Sequence, residues 1–474
     1  MRRAALALLA VCSLGASPRQ DADPRPSFLL VIADDWGWPH AGVYGDKVVK
    51  TPVFNHLAAE GALFTNATCA SPSCTPSRCG ILTGQFIHRI EEAGNLWSTL
   101  PAKFDVYPEL LEAKGYATGS NGKTWGPGNL EAGGRTRNPA GKSFPSFAEF
   151  LKKLPAGKPF CFWFGGIFHD GYDPHRPYEK GAGLKSGMKL EDVFVPPYLP
   201  DTPEVRGDIL DYYFEVERFD RDLADILKAL EAAGHAENTI VVVTGDNGYP
   251  FPRGKGNIYD AGSRIPLALR WPAKVKAGRV VDDFVSLIDV GPTFLEAAGL
   301  KPPAAMNGRS LLAAGRDRMF LERERHSYAR KGGLSYPMRG VRTREHLYIR
   351  NLRPDRWPAG DPEKAEIPDN PHPQVDVGIF ADCDQGPAKD VVLADRGSKY
   401  FRLAFDKRPA EELYDLAKDP YQIENVAGRP EYAEAQKKLR SELDRWMVET
   451  GDPRALNDDD RWDRYPYIGG AKKK

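Results

Sequence analysis

Three stretches of this 474-residue chain are apolar without alternation: Ser27-Phe-Leu-Leu-Val-Ile-Ala33, Lys158-Pro-Phe-Cys-Phe-Trp-Phe-Gly165 and Thr239-Ile-Val-Val-Val-Thr-Gly245. A strand with one wet face alternates. A run that is apolar at nearly every position is buried on both faces, as inside a parallel sheet covered by helices. Each run is too short to cross a bilayer. Helical patterns lie between them. Thr51 and Pro52 open a helix that reaches Glu60 and is closed by Gly61. Another covers 106–114. The longest spans 203–233, with apolar positions at Ile209, Tyr212, Tyr213, Val216, Phe219, Leu223, Ile226, Leu227 and Leu230, before Gly234. A strand at 265–271 and a helix near 289–298 follow. The alternation predicts an α/β fold, a mostly parallel sheet flanked by helices.

After Leu312 the pattern changes. Residues 341–352 alternate, as one half-exposed antiparallel strand would, and 354–373 are a loop rich in proline and aspartate. A segment at 409–416 and a helix at 431–448 complete a smaller α+β unit. The expected division is a signal peptide at 1–17, a catalytic α/β domain at 24–335 and a C-terminal α+β subdomain at 336–474. Residues 170–204, rich in proline and glycine, read as a long surface excursion.

Arg2 and Arg3, the apolar stretch 4–14 and the small residues Gly15-Ala16-Ser17 form a secretory signal, so export is expected. Cys69, Cys74, Cys79, Cys161 and Cys383 remain, an odd number that leaves at least one unpaired. Lys plus Arg and Asp plus Glu both total 65, so no charge bias points to nucleic acid or a membrane surface.

Two features carry chemistry. Cys74-Thr-Pro-Ser-Arg78 runs into Gly80-Ile-Leu-Thr-Gly84, with Pro76 and Ser77 suited to a first helical turn. Cys74 is therefore expected just before a helix N-terminus, where N–H groups and the dipole favour an anion. Arg78 adds a planar donor fork for an oxyanion. A nucleophile beside such a cradle fits attack on a sulfuryl or phosphoryl group. The second feature is the acid and amide set Asp34, Asp35, Asp246 and Asn247, at the ends of two of the apolar runs. Hard oxygen ligands suit Ca²⁺ or Mg²⁺ rather than zinc, and strand ends in open α/β sheets meet at one edge.

The pentapeptide resembles the signature of type I sulfatases, in which a maturase oxidises the cysteine to formylglycine. The resemblance implies an alkaline-phosphatase-like fold and a metal set of Asp34, Asp35, Asp246, Asn247 and modified Cys74. It implies Arg78, Lys123 and Lys255 as sulfate contacts, with Arg253 a neighbouring competitor. Gly122-Lys123-Thr-Trp125 matches a Gly-Lys-x-His stretch, except that Trp125 stands where the family usually has histidine. His175, in Asp173-Pro-His-Arg176, matches the family's active-site histidine, with His169 as rival.

Four stretches resemble the heparan N-sulfatases (sulfamidases) more narrowly: Asp246 to Lys255, Asp173 to Arg176, Ser335-Tyr-Pro-Met-Arg339 and Trp446 to Pro453. That likeness implies His326 and Arg339 as sugar contacts across the cleft. It also implies an exported sulfatase acting on a sulfated glycan, most closely the N-sulfate of glucosamine. Its cofactors would be Ca²⁺, or Mg²⁺, and formylglycine from Cys74. Its partners would be the glycan, a maturase acting on 74–78 and a second copy in a homodimer, with no nucleic acid or membrane. The alternatives are an O-sulfatase on another polysaccharide, a phosphonate or phosphodiester hydrolase of the same superfamily, and a sulfated-glycan binder without turnover.

Overall fold

The computed structural model describes residues 24–166, 179–313, 315–364 and 378–467. Eight strands form the large sheet: β1 (Ser27–Ala33), β2 (Ala62–Thr68), β3 (Ala117–Gly122), β4 (Lys142–Ser143), β5 (Phe160–Gly165), β6 (Thr239–Gly245), β7 (Leu267–Arg270) and β8 (Arg279–Ser286). Their order is β4-β3-β5-β1-β6-β7-β2-β8. β1 is parallel to both β5 and β6, while β7 runs against its neighbours β6 and β2. All residues of β1 and β6 are buried, as their unbroken apolar character requires.

β1 divides its side chains between two cores. Phe28, Leu30 and Ile32 enter the one that holds Tyr107 and Phe294. Phe28 stacks on Phe294 at 4.7 Å and on Tyr116 at 5.4 Å. Burying a side chain of this size contributes about 1.5–3 kcal/mol. Leu29, Val31 and Ala33 face the opposite core.

Four helices matter here: α1 (Pro52–Ala59), α2 (Cys74–Thr83), α3 (Pro203–Ala232) and α4 (Val290–Ala297). The Thr202 side chain caps α3 by accepting from the Val205 N–H, and Pro203 occupies its first turn. Ile209, Val216, Phe219, Leu223 and Leu230 then lie on the stripe of α3 that covers β1.

The smaller sheet contains β9 (Arg318–Arg323), β10 (Met338–Thr343), β11 (His346–Asn351) and β12 (Glu411–Asp415), antiparallel in the order β12-β11-β10-β9. Helix α5 (Ala433–Glu449) covers one face through Leu439, Leu443, Trp446 and Met447. Met319, Leu321, Met338, Leu347 and Ile349 on the other face pack against Ile258, Tyr259 and Phe284 of the larger unit. The α/β class with a smaller α+β unit is therefore as expected.

Two details differ. The stretch 341–352 is a hairpin rather than one strand. Arg318–Arg323 already belongs to the small sheet, ahead of the boundary expected at 335/336. The five cysteines are free and buried. Among the described residues no helix is long and apolar enough to cross a membrane. The expected signal peptide and most of the excursion's first part lie outside the described residues.

Candidate active site

The register of β1 against β6 creates the site. Ala33 pairs with Gly245, so Asp34 and Asp246 emerge side by side, and the Asp246 N–H donates to the Ala33 carbonyl at 3.1 Å. Asp35 turns through the left-handed region (φ 55°), which aspartate tolerates better than most residues. That turn lets its N–H donate to Asp246 Oδ1 at 2.9 Å. Asn247 Nδ2 donates to Asp35 Oδ1 and Asp246 Oδ1, both at 2.7 Å.

Helix α2 brings the pentapeptide to the same edge. Cys74 is its first residue, rather than the residue just before it, because the Ser77 N–H already donates to the Ser73 carbonyl at 2.9 Å. Ser77 Oγ donates to the Asp246 carbonyl at 2.6 Å, which pins the first turn to the strand end. Cys74 Sγ then lies 3.6 Å from Asp34 Oδ1 and 4.0 Å from Asp35 Oδ1.

Arg78 is fully buried and committed. Nε donates to Asp246 Oδ2 at 2.7 Å and one terminal nitrogen to Asp34 Oδ1 at 3.2 Å. The other donates to the carbonyls of Lys123 and Thr124, at 2.6 and 3.2 Å. The expected oxyanion fork is therefore turned onto carboxylates and backbone.

Lys123 is positioned by an unusually close approach of backbones. Its N–H donates to the Gly165 carbonyl at 3.0 Å, and a Cβ on Gly165 would sit 1.5 Å from the Lys123 carbonyl oxygen. Only glycine fits there. Lys123 Nζ donates to both oxygens of Asp34 at 2.6 Å. Lys255 Nζ donates to Asp35 Oδ2 at 2.7 Å and to Asp384 Oδ2 at 3.3 Å.

Burial sets the electrostatics and charge sorts the carboxyls. Burial alone would raise Asp34, but Lys123, Arg78 and Lys255 hold it well below the usual range. Burial pushes Asp35 up to about 7 against Lys255, with Asp34 and Asp246 adding repulsion. Asp246 is also raised, again chiefly by burial. Burial raises the Cys74 thiol despite Lys123 and Lys255. A plain thiol here is therefore protonated and a weak nucleophile.

These groups fit a hard divalent cation. Asp34, Cys74 and Asp246 each present a ligand atom within 4.8 Å of the others. Burial keeps the Asp35 and Asp246 carboxyls raised although Lys255 and Arg78 pair with them, and Asn247 Oδ1 is buried without a hydrogen-bond partner. An oxygen-rich donor set of this kind suits Ca²⁺ or Mg²⁺.

The remaining expectations divide. His326 is buried, and its Nδ1 lies 2.8 Å from Oγ of Ser73, the residue just before α2. Burial lowers it to about 4 despite Asp382, so the imidazole is neutral. His169 and His175 lie outside the described residues. Arg253 is not a substrate contact. At φ 70° its side chain turns away, stacks on Tyr259 at 3.8 Å and donates to the Leu403 carbonyl at 2.9 Å. Arg339 is not one either. It is fully buried, donating to Asp452 Oδ2 at 2.6 Å and Glu324 Oε1 at 2.7 Å. Trp125 packs into the apolar core and brings no imidazole to the site.

Asp384 and Ser73 were not foreseen. Asp384 follows Asp382, which is anchored by Arg323, by Arg330 at 2.7 Å and by the Ser327 N–H at 2.7 Å. No local pattern in Ala381-Asp-Cys-Asp384 announces that placement.

The sulfatase family model matches residues 26–149 and 142–300, and a model described as N-sulphoglucosamine sulphohydrolase, C-terminal, matches 253–357. The chain is 29% identical to the human N-sulphoglucosamine sulphohydrolase, over 91% of this chain and 91% of that protein. It is also 29% identical to an ulvan-active sulfatase of Formosa agariphila, over 90% of this chain and 76% of that one. A structure solved in complex with its substrate, D-glucosamine-2-N,6-O-disulfate, superposes with a TM-score of 0.60 at 19% identity, covering 92% of this chain and 100% of the other.

Proposed function

The chain belongs to the sulfatase family, hydrolases of sulfate esters and sulfamates, and on that premise we propose that it removes the N-sulfate of glucosamine from a sulfated glycan. The observation that carries the reading is the convergence of Lys123 and Lys255 on the carboxylates that surround residue 74. The match of residues 253–357 to the N-sulphoglucosamine sulphohydrolase C-terminal model supports the N-sulfate. The sequence signal at 1–17 supports export.

Residue 74 acts in this reading as formylglycine. Hydrated, that group would supply a hydroxyl nucleophile and a second hydroxyl that a thiol lacks. Asp34, Asp35, Asp246 and Asn247 would hold a Ca²⁺ or Mg²⁺ ion, whose chemistry there would be that of a Lewis acid beside residue 74.

The chain's own residues do the rest. Burial would lower Lys123 and Lys255, but neighbouring carboxylates hold both ammonium groups charged. They bind the sulfuryl oxygens and stabilise the charge that develops there. Arg78 keeps Asp34 and Asp246 fixed. An amine leaves poorly as an anion, so its nitrogen needs a proton, for which His175 is the first candidate, with Lys255 or Lys123 helping. A second reading, an O-sulfatase on another polysaccharide, is favoured by the ulvan-active relative at equal identity.

Two measurements test this. Mass spectrometry of the tryptic peptide ending at Arg78, from protein made in its own host, should show a loss of about 18 Da from the cysteine form. Unmodified Cys74 there would overturn the mechanism. The kcat/KM for N-sulfoglucosamine should exceed that for glucosamine 6-O-sulfate, and the reverse order would favour the second reading.

A further inference from the structure

A cavity of about 420 Å³ opens between the segment that follows β1 and the turn at 420–422. Its size suits a small ligand. Trp38, Tyr198, Tyr213 and Tyr249 form aromatic walls. At the rim stand Phe194 and Tyr421, 57% and 37% exposed, with ring centroids 5.8 Å apart. Two large rings left side by side in water over a concavity mark a surface that something covers.

The polar lining narrows what that is. Asp46, Asp192 and Asp260 face a single ammonium group, Lys47. Asp46 accepts from the Val48 and Val49 N–H groups at 2.9 and 3.2 Å, and Asp260 takes both donors of Arg342 at 2.9 Å. Asp192 is exposed and has no ion pair among the described residues. Aromatic faces and a spare carboxylate attract cations and repel sulfate. Flat rings also take the C–H face of a pyranose.

We propose that this cavity binds an unsulfated amino sugar, its ring against the aromatic walls and its ammonium group at Asp192. The choice of a sugar among organic cations rests on the proposed function, which releases such an amine. One backbone link joins the cavity wall to the reaction centre: Tyr249 lines the cavity, and its carbonyl accepts from the Lys255 N–H at 3.0 Å. Product retained here would keep a glycan on the enzyme after its sulfate has left.

Calorimetric titration of the full chain with D-glucosamine and with D-glucose tests this. Glucosamine should bind at least about tenfold more tightly than glucose, a difference that charge supplies. Asp192→Asn should erase that preference. Phe194→Ala with Tyr421→Ala should weaken both sugars about tenfold while turnover of sulfated substrate stays unchanged. Both rings are exposed, so the fold tolerates the change, and circular dichroism verifies it. Equal affinity for the two sugars would overturn the ammonium assignment. Unchanged affinity in the rim variant would place binding elsewhere and overturn the site. A sedimentation result showing that the rim residues join two copies would assign the face to self-association instead. Binding is read without turnover, so its failure leaves the N-sulfate reading standing, and the converse holds.

Discussion

Arg253 and Lys255 are two residues apart, and the backbone separates their roles. The left-handed φ of 70° at Arg253 sends its guanidinium onto Tyr259, while Lys255 reaches Asp35 and Asp384. Lys255→Ala should therefore lower kcat/KM by about 10²–10³, as loss of a donor to developing charge does, and steady-state kinetics will read it. Arg339→Ala should behave differently. It leaves Asp452 buried without its cation and Glu324 with Arg454 alone, so it should cost about 3–5 kcal/mol of stability. Denaturant unfolding should show that loss with KM unchanged; a raised KM at normal stability would restore Arg339 to the substrate. The positions of Asp34, Asp35, Asp246 and Asn247 were legible because unbroken apolar strands dictate where their ends meet. Arg253 was not, since a side chain's direction depends on a φ angle that the spacing of charges does not encode. Asp384 was not either, because it arrives through buried pairs of Asp382 with Arg323 and Arg330.

At the scale of elements, the small sheet depends on α5. Trp446 of α5 stacks on Phe320 of β9 with centroids 4.8 Å apart and planes 4° from parallel. Trp446→Ala should remove about 3–5 kcal/mol, measured as a lower thermal midpoint, because the cavity left behind cannot close between helix and sheet. The β10–β11 hairpin escaped sequence reading for a local reason. Its turn, at Thr343-Arg344-Glu345, lacks glycine, proline or asparagine. Thr343 Oγ1 instead accepts from the His346 N–H at 3.0 Å and closes the reversal. The long helix α3 was legible from its period and from Gly234 at its end, and the Thr202 cap and Pro203 in the structure agree with it.

Over the whole molecule, buried carboxylates tie distant segments together, and they set its response to acid. Burial would raise Asp382, but Arg330 and Arg323 hold it well below the usual range. Asp260 and Asp452 are also lowered against burial, by Arg342 and Arg339 respectively. A carboxyl depressed in the folded state contributes stability that is complete above its unfolded pKa of about 3.9 and is lost as pH falls towards the folded value. Thermal midpoints should therefore hold near neutrality and drop below about pH 4. Asp382→Asn should lower the midpoint at pH 7 and flatten the acid decline; a decline as steep as the wild type's would remove Asp382 from that role. One feature of the finished fold also bears on its history. Cys74 is 3% exposed, and Thr75, Ser77 and Arg78 are wholly enclosed. If residue 74 is oxidised as proposed, the oxidising enzyme would have to grip this pentapeptide as an open strand of chain, before the sheet closes. On that proposal, a molecule that folded first would be sealed with sulfur at its centre, out of reach of any later encounter in the native state.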